Sequence, residues 1–362
     1  QLLVAGIEGT EPGEDAVQAV QGYQVGGVIL FGRNVESAEQ LAALTNGLKE
    51  LNGDYTPLFL CVDQEGGRVD RMPPEVSRTP SAWSVGQTLD TEGVGVSYGE
   101  LLAAECAAFG FNMDFAPSLD IWSNPDNTVI GDRAFGNDWE WTAFFGMSAV
   151  EGMEKQGTVI PVVKHFPGHG DTAVDSHTAL PVVDKTLEDL WQSELVPFDM
   201  VLSGQFWGEP VMEPTPAVMV AHILLSQIDP DNPASLSPEV VTGLLREEMG
   251  YEGVVCTDDL TMGAISNTYG MGEAAVLAVE AGCDLLLVCH GADNLAEAHA
   301  ALVEAVDSGC IPEERLDESV YRVLSLKTVY GLSNAPVEAP DIEALNDRIA
   351  ALERSIEADT SQ

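Results

Sequence analysis

The densest group of side chains capable of acid–base chemistry lies in residues 164–177, which read KHFPGHGDTAVDSH. Glycine and proline in such a segment favour a tight loop over a helix, so polar groups can converge on a ligand. One interpretation is a dyad in which Asp175 orients His177 and favours its protonated form. A metal site built from His165, His169 and Asp175 is an alternative. A purely structural loop is another.

A second candidate group is Thr257-Asp258-Asp259, which follows the apolar residues 253–256. Two adjacent acids at the end of an apolar run cannot both be buried without compensation or large pKa shifts. One of them is therefore expected to face a ligand as a nucleophile or base, while the other caps the next helix or pairs with a cation. The competing interpretation makes both of them helix caps.

Cations are scarce, with 15 Lys and Arg against 59 Asp and Glu. Arg68 follows Asp63 in the segment DQEGGR, Arg133 lies in GDR, and Lys164 opens the histidine-rich segment. Carboxylates that accept hydrogen bonds from neighbouring hydroxyls, with Arg or Lys donating to others, are suited to holding a sugar. An internal set of salt bridges is the competing interpretation, and it is strongest for Arg68.

Eight short apolar runs alternate with helical patterns along the chain and must position these side chains. This alternation predicts right-handed βαβ units and a single-domain (β/α)8 TIM barrel, with a doubly wound sheet as the alternative. Reactive side chains of a barrel lie at the carboxyl ends of its strands. The runs are Leu2–Ile7, Gly26–Phe31, Pro57–Asp63, Phe111–Ala116, Val159–His165, Ala217–His222, Gly253–Asp258 and Cys283–His290.

The barrel is predicted to span residues 1–332, with a C-terminal helical extension, a linker and helix, over 333–362. Two helices are expected near the end of the chain, over 312–330 and 340–357. Residues 203–216 form an unusually long loop that carries Trp207.

The formal net charge of −44 excludes a nucleic acid or anionic membrane held by bulk electrostatics. No apolar run is long enough for a membrane span. So acidic a chain repels itself, which suggests saline surroundings, although improved solubility explains the acids equally well. The six cysteines form no CxxC pair and are expected to be buried free thiols. Free thiols favour a cytoplasmic location over a secreted or cell-envelope one, which is the alternative. The sequence does not indicate the oligomeric state.

Together these segments resemble glycoside hydrolase family 3, in its β-N-acetylglucosaminidase branch. The similarity runs over nearly the whole chain, and the histidine-rich segment is the most specific part. The matching segments are GGVILFGRN (26–34), DQEGGRVDRM (63–72), FNMDFAPSLDI (111–121), VIGDRAFG (129–136), KHFPGHGDTAVDSHTALP (164–181), AVMVAH (217–222), GVVCTDDLTMGAI (253–265) and RLDESVYRVLSLK (315–327).

The resemblance implies a retaining exo-hydrolase that removes terminal β-linked N-acetylglucosamine from peptidoglycan fragments or chitin oligosaccharides. It places the nucleophile on Asp258 and the acid/base on His177, paired with Asp175. It implies a small carbohydrate substrate and no metal or other cofactor. Sugar-holding roles fall on Asp63, Arg133, Lys164, His165, Met219 and His222.

Two other activities fit the same residues. A phosphorylase would release the sugar as its 1-phosphate, because a histidine repels incoming phosphate less than a second carboxylate would. A non-catalytic sugar-binding barrel is the third possibility, although binding alone does not need Asp175, His177 and Asp258 together. Residues 203–216 exceed the family's usual link and are expected to reshape a leaving-group subsite. Many relatives also carry a second domain after the barrel.

Overall fold

A computed structural model describes residues 1–91, 93–172 and 175–360. Eight parallel strands close into a barrel in the order β1-β8-β7-β6-β5-β4-β3-β2, with β1 also pairing with β2. The predicted (β/α)8 barrel is therefore confirmed. The strands are β1 Leu3–Gly6, β2 Gly27–Ile29, β3 Phe59–Val62, β4 Met113–Asp114, β5 Ile160–Phe166, β6 Ala217–Val220, β7 Val254–Asp259 and β8 Leu285–Val288.

Helices surround the barrel and fill the intervals between its strands. The longer ones are α1 Ala38–Asn52, α2 Val94–Ala108, α3 Trp139–Glu154, α4 Leu195–Ser203, α5 Glu239–Glu248 (a π-helix), α6 Met271–Ala281, α7 Ala292–Asp307, α8 Glu313–Val329 and α9 Ile342–Thr360. Short helical turns cover Glu14–Val17, Gln18–Gly22, Gly32–Asn34, Ala82–Gly86, Gly131–Arg133, Leu187–Leu190, Ala234–Leu236 and Gly263–Ser266.

The helical pattern over 187–202 predicts one helix, and the structure divides it into Leu187–Leu190 and α4. Pro197 explains the break, because its ring and missing N–H are tolerated only in the first turn of a helix. A new helix must therefore begin just before Pro197, as α4 does at Leu195.

Alternating residues of the strands point into the barrel, where they form a core separate from the layer between strands and helices. On β7, Val254 and Cys256 point inward while Val255 packs against the helices. On β5, Ile160 and Val162 likewise point inward. This period of two fixes which residues at the strand ends face the barrel axis.

The C-terminal helix α9 packs against α2 through Leu345, Ile349 and Leu352, which are buried. The division of the chain at residue 332 stays a prediction. Among the described residues, no helix combines the length and apolar character that crossing a membrane requires.

Residues 203–216 connect α4 to β6 and contain a two-stranded antiparallel hairpin, Gln205–Phe206 with Glu209–Pro210. Trp207 and Gly208 form its two-residue turn, and both have positive φ, 53° and 81°. The hairpin lies on the outside of the barrel beside α3, where the rings of Trp207 and Trp139 are 5.6 Å apart.

All six cysteines are free thiols, and five of them are buried as expected. The expectation is wrong for Cys310, which is exposed. It lies in the turn between α7 and α8, where its apolar neighbour Ile311 takes the buried position instead.

The excess of acids predicts a salt-dependent fold. We expect the melting temperature to rise by about 5 °C or more between about 0.1 and 2 M NaCl, because salt screens the repulsion among surface carboxylates. Differential scanning calorimetry in rising NaCl measures this, and KCl at the same ionic strength is the control for a cation-specific effect. A flat or falling melting temperature would contradict the prediction.

Candidate active site

On three strands, the series of residues that point into the barrel ends with a polar side chain. These polar side chains meet at one end of the barrel. Asp63 follows Phe59 and Cys61 on β3, Lys164 follows Val162 on β5, and Asp258 follows Cys256 on β7. Each of the three side chains lines a single pocket above the apolar barrel core. The alternation that packs the core therefore also builds the site.

The pocket has a volume of about 220 Å³. Its wall at the ends of β3, β4 and β5 is strongly polar, and its floor is apolar. The lining residues are Ile29, Phe31, Asp63, Glu65, Val69, Arg71, Phe115, Val129, Ile130, Arg133, Lys164, His165, His169, Ser176, His177, Met219, Asp258, Asp259, Met262, Leu287, Cys289 and His290. A pocket of this size suits a small ligand with several polar groups.

Glu65 joins the two cations of the polar wall. Its carboxylate accepts two hydrogen bonds from Arg133, at 2.7 and 2.8 Å, and lies 2.5 Å from Lys164 Nζ. Burial alone would raise the pKa of Glu65, but these two cations hold it well below its usual range. Lys164 Nζ also donates to Asp63 Oδ1 at 2.5 Å, so Asp63 is fixed at the pocket edge.

His165 is oriented from behind by a buried carboxylate. Asp120 Oδ2 lies 2.5 Å from His165 Nδ1, and Ser118 Oγ donates to the same oxygen. Burial would raise the pKa of Asp120, yet the neighbouring imidazole and backbone N–H groups lower it well below its usual range. His165 Nε2 faces Arg133 Nη2 at 3.1 Å, which places the imidazole in the polar wall.

The two acids at the end of β7 have different environments. Asp259 accepts hydrogen bonds from Thr261 N, Thr261 Oγ1 and Cys289 N, and so ties β7 to the end of β8. Asp258 Oδ1 accepts from Asp259 N at 2.7 Å, and its side chain faces the pocket. Burial would raise the pKa of Asp258, but the nearby imidazoles of His222 and His165 lower it, together with the backbone N–H of Asp259. Asp258 is thus kept ionised at neutral pH.

His222 and Met219, both predicted to hold sugar, occupy different places. Met219 is in the inward phase of β6 and forms part of the pocket floor. His222 is fully buried behind the pocket, where its ring nitrogens contact Ser235 Oγ and the carbonyl oxygen of Asp259. Its position in the structure suits a residue that supports β7.

The loop after β5 carries Asp175 and His177 to the pocket rim. Asp175 Oδ1 accepts hydrogen bonds from His177 N and His177 Nδ1, at 2.9 and 2.8 Å. These contacts leave His177 Nε2 available for a ligand, and 67% of the side chain is exposed. Hydrogen bonds from His177 lower the pKa of Asp175, although partial burial opposes them. Ala173 and Val174 of this loop lie outside the described residues.

The alternative metal site at His165, His169 and Asp175 gains no support from the geometry. His169 is instead hydrogen-bonded to Thr172 Oγ1 and Ser176 Oγ, and His165 is hydrogen-bonded to Asp120. Within residues 1–91, 93–172 and 175–360, no group of three or more His, Cys, Asp or Glu side chains is arranged to hold a metal ion.

Sequence reasoning missed two residues that line the pocket, Glu65 and Arg71. The strand ends indicate Asp120 and His290 as candidates but give neither of them a role. Glu65 and Asp120 act through hydrogen bonds to residues that are distant in sequence, so the spacing within a motif does not indicate their roles. Arg71 lines the pocket, and its buried Nε has no hydrogen-bond partner among the residues that the structure describes, so a donor is left near the ligand space. Arg68 and Arg71 lie in the same segment, DQEGGRVDRM. The Arg68 guanidinium does not line the pocket and instead donates hydrogen bonds to the carbonyl oxygens of residues 128–130.

Glu105 on α2 is a buried glutamate that holds Gln64, the residue between Asp63 and Glu65 just after β3. Its carboxyl group accepts from Gln64 Nε2 at 2.9 Å and from Thr79 Oγ1 at 2.6 Å. Burial raises the pKa of Glu105 to about 8, against the effect of these hydrogen bonds. The native state therefore holds a proton that the unfolded chain loses at lower pH.

Because the native state keeps this proton while the unfolded chain loses it, we expect the free energy of unfolding to fall as the pH rises from about 4.5 toward 8. We expect Glu105→Gln, which keeps the shape and stays neutral, to reduce this fall by about 2–4 kcal/mol between pH 5 and 8. Urea unfolding of both proteins at the two pH values measures the effect. Parallel pH dependences for the two proteins would contradict the prediction.

A polar pocket at the carboxyl ends of the strands of a (β/α)8 barrel is the position of the active site in barrel enzymes. The family model for the glycosyl hydrolase family 3 N terminal domain matches residues 1–326, and the chain belongs to this family.

Relatives of known name agree with this assignment. The chain is 38% identical over 293 residues to a beta-hexosaminidase of Alkalilimnicola ehrlichii, covering 80% of each chain. It is 33% identical over 341 residues to beta-hexosaminidase A of Pseudoalteromonas piscicida, covering 88% of this chain and 56% of that relative. A solved family 3 β-N-acetylglucosaminidase from Paenibacillus sp. str. FPU-7 has a TM-score of 0.90 and 42% identity, over 97% of this chain and 66% of that one. The chain thus spans little more than half the length of one of these relatives.

Proposed function

We propose that the protein is a retaining exo-β-N-acetylglucosaminidase. The observation that carries the proposal is the meeting, in one pocket, of ionised Asp258 with a His177 whose Nδ1 is held by Asp175. The relatives named beta-hexosaminidase and the family 3 β-N-acetylglucosaminidase structure support the choice of sugar.

In the first step, an oxygen of Asp258 attacks the anomeric carbon as the glycosidic C–O bond breaks. His177 Nε2–H gives its proton to the departing oxygen, so the leaving group departs as an alcohol. The sugar is then covalently bound to Asp258 as an ester. Because Asp175 accepts from Nδ1–H, the imidazole left behind is unprotonated at Nε2 and ready to act as a base.

In the second step, His177 Nε2 takes a proton from water, whose oxygen attacks the anomeric carbon and releases Asp258. Two inversions at this carbon give net retention. Asp63, Arg133, Lys164 and His165 present fixed acceptors and donors to the sugar hydroxyls, and Arg71 adds a donor. Their mutual hydrogen bonds hold the wall in place before the substrate binds, which favours orientation of the sugar.

Release of nitrophenol from its β-N-acetylglucosaminide and β-glucoside tests the function. We expect a strong preference for the N-acetylated sugar. Preference for glucose would reject the proposed sugar, and no turnover of either would favour a non-catalytic sugar-binding barrel.

Phosphate in the same assay tests the alternative reaction. The base of the second step is a histidine, so an anionic acceptor meets less repulsion beside it than beside a second carboxylate. Free N-acetylglucosamine as the product in saturating phosphate supports hydrolysis, whereas its 1-phosphate would establish a phosphorylase.

A further inference from the structure

Tryptophan is concentrated in one region of the surface. Five of the six tryptophans lie in or beside the loop between β4 and α3. The sixth, Trp191, lies in another region, where its Nε1 donates a hydrogen bond to Glu248. None of the five is buried, and Trp141 and Trp207 are 41% and 66% exposed. We call Trp83, Trp122, Trp139, Trp141 and Trp207 the tryptophan surface.

Short contacts join the members of this surface. The rings of Trp83 and Trp122 are 5.2 Å apart, and those of Trp139 and Trp207 are 5.6 Å apart. Trp122 N donates to the carbonyl oxygen of Gly136, which lies three residues before Trp139 in the segment that leads into α3. The two ring pairs are therefore connected through the backbone of one loop.

The same loop connects the tryptophan surface to the pocket. Trp122 Nε1 donates to the carbonyl oxygen of Asn127, and Asn127 Oδ1 accepts from Val129 N and Ile130 N. Val129 and Ile130 line the pocket. Trp122 is therefore tied by hydrogen bonds to a segment that lines the pocket.

The conformation of Trp207 indicates that its ring is used. It occupies a hairpin turn position with φ of 53°, where Asn is favoured and a bulky side chain is strained. Its indole nevertheless projects into solvent from the turn. A residue that opposes the local turn preference and gains little burial is typical of a binding surface.

We propose that the tryptophan surface binds a neutral β-linked N-acetylglucosamine chain whose terminal sugar occupies the pocket, an inference that rests on the proposed function. Indole rings offer flat apolar faces to the C–H faces of sugar rings, while carboxylates accept from the hydroxyls. Asp138 and Glu140 flank Trp139 in sequence, and Glu209 is two residues from Trp207. With a net charge of −44, the protein repels a carboxylate-rich glycan such as peptidoglycan and favours an uncharged one.

The hairpin at residues 203–216 contributes none of the residues that line the pocket. The expectation that this segment reshapes a leaving-group subsite stays a prediction, because the sugar units beyond the pocket belong to the leaving group. The segment lies farther along the surface because it joins α4 to β6 on the outside of the barrel. Its contribution is to more distant sugar units.

Binding to chitin tests the proposal without needing turnover. Asp258→Asn protein is applied to chitin beads and titrated with the N-acetylglucosamine hexamer by calorimetry. We expect retention on the beads, and about tenfold weaker hexamer binding when Trp207→Asn is added. Because Asn suits the turn better than Trp, this variant is expected to melt no lower than its parent, which separates lost binding from misfolding. Tyr321→Asn, which removes a 74% exposed aromatic ring on α8, is the matched control and is expected to bind like the parent.

Three outcomes would overturn the proposal. One is equal hexamer affinity with and without Trp207, and another is retention on peptidoglycan but not on chitin. The third is a dimer in sedimentation velocity that Trp207→Asn dissociates, which would make the tryptophan surface an interface between copies. Failure of the nitrophenyl assay with intact chitin binding would reject the proposed hydrolysis alone.

Discussion

Replacement of Asp258 by Asn or Ala is expected to lower turnover of nitrophenyl β-N-acetylglucosaminide by about 10⁴-fold or more. Asp258 projects from the inward phase of β7, and its lowered pKa keeps it anionic. Asn has the same shape but cannot form the glycosyl ester, and Ala also opens space beside the anomeric carbon. Stopped assays with long incubation measure the residual rate.

Azide distinguishes a lost nucleophile from a damaged fold. In Asp258→Ala, azide fits the vacated space and attacks the anomeric carbon once, so it should restore turnover and yield the α-glycosyl azide. Asp259→Asn is the neighbouring control, since its amide oxygen can still accept from Cys289 N and Thr261 N. We expect it to retain measurable turnover without azide. Azide rescue of Asp259→Asn instead of Asp258→Ala would move the nucleophile by one residue.

Removal of the proton donor is expected to produce a loss that depends on the leaving group. For His177→Ala we expect kcat/KM to fall by about 10²–10⁴-fold with chitobiose, whose departing oxygen must be protonated. With the nitrophenyl substrate the fall should be about tenfold or less, because nitrophenolate departs without a proton. The value of kcat/KM reports the step up to the covalent intermediate, and so isolates the acid role.

Asp175→Asn tests the orienting partner in the same assay. Asn can accept from His177 Nδ1–H but supplies no charge, so the variant should keep the ring position and lose part of the rate on chitobiose. Its pH profile should change, whereas a residue that only shapes the loop would leave the profile in place. Equal losses on both substrates in His177→Ala would reject the acid role.

The barrel could be predicted from the sequence because its signal is local and repeated. Each apolar run of four to eight residues, followed by a helical pattern, carries the βαβ signal independently of the others. Helix boundaries depend on particular residues. The continuous helical pattern over 187–202, for example, is divided into two helices because of the proline ring of Pro197. Contact between distant segments, such as the hairpin against α3, has no comparable signal.

The candidate site could be predicted in part for a related reason. Asp63, Lys164 and Asp258 end their strands in the inward phase, so a strand pattern is sufficient to bring them together. Glu65 is different, because its importance comes from two cations that lie 68 and 99 residues away in sequence. The separation of Met219 from His222 likewise depends on the path of the chain beyond β6, which ends at Val220.

The buried proton on Glu105 has a consequence for how the enzyme's rate profile is interpreted. An alkaline decline in activity is ordinarily assigned to the general acid losing its proton. Glu105 holds Gln64, which stands between Asp63 and Glu65, and its pKa of about 8 lies where such a decline would be measured. Ionisation on α2 would then distort the sugar-holding wall while His177 kept its function. An alkaline limb shared by substrates with good and poor leaving groups would belong to the scaffold, and a limb seen only with poor leaving groups would belong to the chemistry.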